Sequence, residues 1–114
     1  QPHGEVIAEL EKLLHTLKQD GVAMRALISP YHPDFQKQWN GSDHERHFCR
    51  LFMKYQEDGL LQFHPDAFRG LEETLRPYFL DYGHLLSRGT ALFTQALAKH
   101  LQRHPLAPMA VKQQ

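Results

Sequence analysis

Cysteine is almost missing from this chain: of 114 residues one, Cys49, is a cysteine. A disulfide framework within the chain is excluded, and a reducing compartment, the cytoplasm, is the expected setting. Long apolar runs are missing as well. No stretch approaches the roughly 18 residues of a membrane span, so no membrane insertion is expected. An excess of one charge is also lacking, because 13 Lys and Arg residues balance 13 Asp and Glu residues. The basic residues are scattered singly, and a dense charged stretch such as Asp43-His44-Glu45-Arg46 is mixed in sign. Nucleic-acid binding calls for a basic face, and none is expected here. There is no internal repeat, no low-complexity segment and no long strand-like alternation. The chain opens Gln1-Pro2-His3-Gly4 without methionine, as expected of a trimmed or processed chain.

Catalytic motifs are equally sparse. The sequence holds no H-E-x-x-H, no glycine-rich phosphate loop, no G-x-S-x-G and no zinc-ribbon spacing. Asp43 and Glu45 fall at a helix start, where the dipole accounts for them. Glu72 and Glu73 belong on or near a solvated face. Cys49 sits on the flank of its helix, away from His44, without the hydrogen-bonded base that a thiol nucleophile needs. These absences argue against an enzyme.

What is present is a globular composition, 41% hydrophobic and 23% charged, in a length that suits one domain. Glu5 to Lys18 carries Val6, Leu10, Leu13 and Leu17 at helical spacing, widened by Ile7 and Leu14. Gln19-Asp20-Gly21 marks a stop, although Met24 and Leu27 keep the register to Ile28. Pro30 and Pro33 bar a helix through the next stretch. There Asp34 is placed to cap a single turn holding Phe35 and Trp39, and Asn40-Gly41 makes a turn. Ser42 and Glu45 form an S-x-x-E capping box. Phe48, Leu51, Phe52 and Tyr55 share the following helical face, and Gly59 closes it. Leu60, Leu61 and Phe63 are too apolar for an exposed connector.

His64-Pro65-Asp66 reads as the opening of the next helix. From Phe68 through Leu71, Leu75, Phe79, Tyr82, Leu86, Phe93 and Leu97 to Leu101 the apolar stripe is nearly continuous. Pro77 lies opposite that stripe and is expected to kink the helix. Gly89 lies on it, as a close contact or a break. The expected fold is thus all-α: a small helical bundle of about four main helices, one kinked at Pro77. Residues 1–104 form the single helical domain and 105–114 a flexible tail. The expected core is Leu10, Leu13, Leu17, Phe48, Leu51, Phe52, Leu71, Leu75, Phe93 and Leu97.

Nine histidines are the compositional oddity. His44 falls on the apolar face beside Phe48, with His47 at its edge. His100 and His104, one turn apart, fall on the line of Phe93 and Leu97. A histidine pair at this spacing can chelate a divalent ion, so His44, His100 and His104 are the candidate metal ligands. Structural roles compete: His100 and His104 lie near a helix C-terminus, which favours the imidazolium. The first expectation is that no cofactor binds, and a divalent metal or haem is the alternative.

A non-catalytic helical regulatory or adaptor module, acting by protein–protein binding, therefore leads by exclusion. The competing expectation is a ligand-sensing helical domain that binds a metal, haem or small apolar molecule through helix-face histidines. A protein partner is expected, and so is a two-fold homodimer through the first helix, whose stripe is wider than one neighbour needs.

Overall fold

The computed structural model describes residues 4–106. The first helix, α1 (Gly4–Gln19), leads to a strand, β1 (Arg25–Leu27). Two helices follow, α2 (Pro33–Trp39) and α3 (Asp43–Glu57), and then a second strand, β2 (Gln62–His64). The short α4 (Leu71–Leu75) runs into a 3-10 turn at Arg76–Tyr78, and α5 (Ser87–Arg103) closes the order. The fold is mostly helical, but it is not purely all-α, because β1 and β2 pair as a two-stranded parallel sheet. The tail expected over 105–114 lies outside the described residues except for Pro105 and Leu106.

The helix ends follow local chemistry. The Ser42 hydroxyl accepts the Glu45 N–H, and the Glu45 carboxylate accepts the Gly41 N–H at 2.7 Å. The capping box is thus present with its return bond shifted by one residue. Gly59, at a φ of 73°, takes the left-handed turn beyond α3. At α2 the expected cap is replaced: His32 Nδ1, not Asp34, accepts a free N–H, that of Asp34, at 3.1 Å. Pro33 then occupies the first turn, where its missing N–H costs nothing.

The sheet is what the sequence reading missed. In its register Arg25 faces Gln62, Ala26 faces Phe63 and Leu27 faces His64. Parallel strands need a long crossover, here supplied by α2 and α3. Side chains alternate across a strand, so Ala26 and Phe63 turn to one face and Arg25, Leu27 and His64 to the other. The first face meets the main core of Leu14, Tyr55, Leu60, Leu61 and Phe63. Tyr55 of α3 donates its hydroxyl proton to Glu11 of α1 at 3.0 Å. Burial first, then the hydrogen bond and charge of Glu11, push the phenol up to about 12.

Three further expectations are corrected. The core face of α1 is centred on Leu14, which is buried, while Leu13 is 52% exposed. Phe48 is also exposed: it stacks on Phe52 at the rim of the core, while Cys49, Leu51, Phe52 and Tyr55 carry the helix into it. Finally, no helix opens at His64 and none is kinked at Pro77. Residues 65–70 are turns, Pro77 sits in the 3-10 turn that ends α4, and the chain is non-helical until Ser87.

Phe79 bridges Leu85 across that gap. The Asp81 carboxylate fixes the loop tip by accepting the N–H groups of Gly83 and His84. The Gly83 N–H first, then the His84 ring, hold that carboxyl below its usual range. Gly89, in the first turn of α5, is buried against the 3-10 turn. A Cβ there would lie 2.9 Å from the Tyr78 carbonyl oxygen and from Leu85, so the close-contact reading of this glycine is the one observed. Phe68 packs edge-on to Phe93 at 5.0 Å, and α4 packs against α2 and α5.

Candidate functional site

The second face of the sheet carries the most unusual grouping of side chains. His64, at the end of β2, points at the C-terminal turn of α5. Its ring lies 5.1 Å from that of His100 and 5.9 Å from that of His104. His100 and His104 are 4.9 Å apart, as their four-residue spacing on one helix face requires. Arg25 of β1 completes the group, donating from Nη2 to the His104 carbonyl. Phe68 closes one side, 6.0 Å from the His100 ring.

Of the histidines expected together, His100 and His104 do meet. His44 is exposed on α3 and is not among the rings they contact. The members missed from sequence are His64 and Arg25. His64-Pro65-Asp66 reads as a helix start, which would point the His64 side chain elsewhere. Arg25 stood in a stretch whose helical register masked a three-residue strand. Among the described residues no group of three or more His, Cys, Asp and Glu side chains is arranged to hold a metal ion.

The electrostatics of the group are set by burial and by Arg25. Burial, then Arg25 and His104, lower the pKa of His64. Burial, then His104, His64 and Arg25, lower that of His100. Both rings are therefore neutral at pH 7 in the folded chain. As pH falls below about 6.5, the ordinary histidine value, the unfolded chain takes up these protons before the folded chain does. The stability contributed by the neutral rings is thus complete above about 6.5 and is lost as pH falls from there through their lowered folded values. The melting temperature should decline between pH 7 and pH 5, and His64→Gln with His100→Gln should flatten that decline. An equally steep profile in the double variant would place the acid sensitivity elsewhere.

Other reactive groups are poorly placed for chemistry. The Cys49 thiol is half-buried. Burial, followed by the charges of Glu45 and Asp66, raises its pKa, which disfavours the nucleophilic thiolate. Asp81 and His84 pair at 2.9 Å on the surface, where they organise a loop.

Comparison with protein-family models, curated proteins and solved structures finds no match.

Proposed function

We propose that this chain is a non-catalytic helical module that acts as a regulator or adaptor by binding protein, with α1 as its binding surface. The observation that carries this reading is the half-covered stripe of α1. Leu14 is buried and Leu10 packs against the core. On the flank of the same stripe, Val6 is 63% exposed and Leu13 52% exposed. They lie two turns apart, so both project along one line. An apolar line of this kind is left open at a cost unless another surface covers it. A second copy of the chain is the simplest occupant, since two-fold pairing lets one patch cover itself.

Sedimentation across a concentration series tests this directly. The wild-type chain should pass from monomer to dimer. Val6→Glu with Leu13→Glu should remain monomeric, with stability changed by no more than about 0.5 kcal/mol, the usual range for surface positions. A wild-type chain that stays monomeric at high concentration would reject the homodimer. Affinity capture from the native cell with both versions then decides on a different partner, and equal capture by both would sink the α1 surface. The ligand-sensing alternative draws support from a separate observation, the meeting of His64, His100 and His104.

A further inference from the structure

We propose that Arg25, His64, His100 and His104 form an oxyanion site that takes the phosphoryl group of a phosphate monoester. The inference deepens the ligand-sensing alternative and is independent of the α1 surface, which packs toward the other face of the sheet.

Four nitrogens of the group lack partners. Arg25 Nε and Nη1, His64 Nε2 and His100 Nε2 are buried without a hydrogen-bond acceptor or donor among the described residues. A guanidinium can only donate, and buried donors left alone are costly. The two Arg25 nitrogens lack an acceptor, the two imidazole Nε2 atoms can donate beside them in their Nε2–H tautomer, and the ligand that supplies several acceptors at once is an oxyanion. A divalent cation would be satisfied by the imidazoles, but it would lie against the permanent positive charge of Arg25.

The surroundings have the matching charge. Two grooves open on the cluster and share Ala67, His100 and His104. One, of about 380 Å³, is lined by His64 and Asp66; the other, of about 410 Å³, carries Arg69, Lys99 and Arg103. Among the described residues Asp66 is the one carboxylate lining these grooves, and it is taken by Arg69 at 2.8 Å. Lys99 and Arg103 therefore line the mouth, with Arg25 behind it on the His104 carbonyl, and no free acid among the described lining residues offsets them, in a chain whose formal net charge is zero. Such a patch draws anions toward the mouth.

Geometry favours a phosphoryl group over a carboxylate. The candidate donors come from three elements, β1, β2 and α5, and a set not confined to one element suits tetrahedral oxygens better than two coplanar ones. The grooves lie within the size range of small-molecule sites. They leave room for the ester's organic part against Leu71 and Ala96. His104 is exposed and lines both grooves beside His100, so the ligand meets its ring first.

The test is titration of the intact chain at constant ionic strength, with chloride as the balancing anion, while the imidazole proton resonances are followed. The probes are inorganic phosphate and phenyl phosphate. The expected result is saturable shifts of His64, His100 and His104, with His15 and His44 unmoved and phenyl phosphate binding more tightly. Arg25→Gln should weaken phosphate by about tenfold or more, the loss expected for a charged hydrogen bond. Should Arg25→Gln unfold, Lys99→Gln with Arg103→Gln, both at exposed positions, should weaken binding several-fold in a folded chain. Absence of saturable shifts in the folded wild-type chain overturns the proposal. So does an equal response to chloride, or unaltered affinity in the folded variants. Zinc moving the same rings where phosphate does not would replace it with a metal site.

Discussion

Leu75→Ala should lower stability by about 2–5 kcal/mol, the range for emptying a fully enclosed leucine site. Leu75 has no exposed surface at all, and it ends the helix that packs against both α2 and α5. The buried apolar side chains among the described residues are few: Leu14, Tyr55, Leu60, Leu61, Phe63, Phe68 and Leu75. Losing one of them from a domain of ordinary stability, about 5–15 kcal/mol in total, removes a large share. Thermal unfolding should show a melting temperature lower by roughly 10 °C or more. Leu13→Ala is the control, because half of that side chain is already in water. A Leu75→Ala chain that melts like Leu13→Ala would show that α4 is not enclosed by its neighbours.

The second large effect is expected at Phe63. It is 5% exposed and sits at the centre of β2, paired with Ala26. Its ring lies 5.5 Å from Phe52 and 6.2 Å from Phe48. Phe63→Ala should cost about 3–5 kcal/mol. The same strand sets the direction of His64, so the anion response of the histidine cluster should disappear with it. Phe63→Leu, which keeps most of the volume, should retain both the fold and the response. Denaturant unfolding of the two variants side by side separates these outcomes. Equal stability of Phe63→Ala and wild type would mean that the sheet is not held by this residue.

Local signals in the sequence were read well where they are self-contained. The Ser42 cap and the Gly59 turn each depend on a few adjacent residues, and each is found in the structure, whereas at Gly89 the sequence leaves contact and break open and only the packing on Tyr78 decides. Helical spacing also placed His100 and His104 together. It reveals the width of the α1 stripe but not which flank faces inward, and so does not separate Leu13 from Leu14. That choice is made by Tyr55 and Phe63, which are distant in sequence. The strands were invisible for a simpler reason: three residues are too few to display alternation. The stripe from Phe68 to Leu101 misled because apolar spacing can persist through a segment whose backbone leaves the helix. Pro77 ends that helix by denying a backbone N–H, and the bridge between Phe79 and Leu85 takes over. With the strands unseen, Arg25 and His64 could not be brought to α5.

The pairing of β1 with β2 across α2 and α3, and the reach of Arg25 to a residue 79 positions away, bear on how the chain folds. Such contacts raise contact order, and the entropy of closing long loops must be met before they repay it. The α1 and α3 helices can form from near neighbours, but the histidine cluster needs the beginning, middle and end of the domain in place together. A nascent chain that has not yet released α5 from the ribosome holds His64 without its partners. Anion binding at the cluster would then report the last step of folding, appearing only when α5 docks on the sheet.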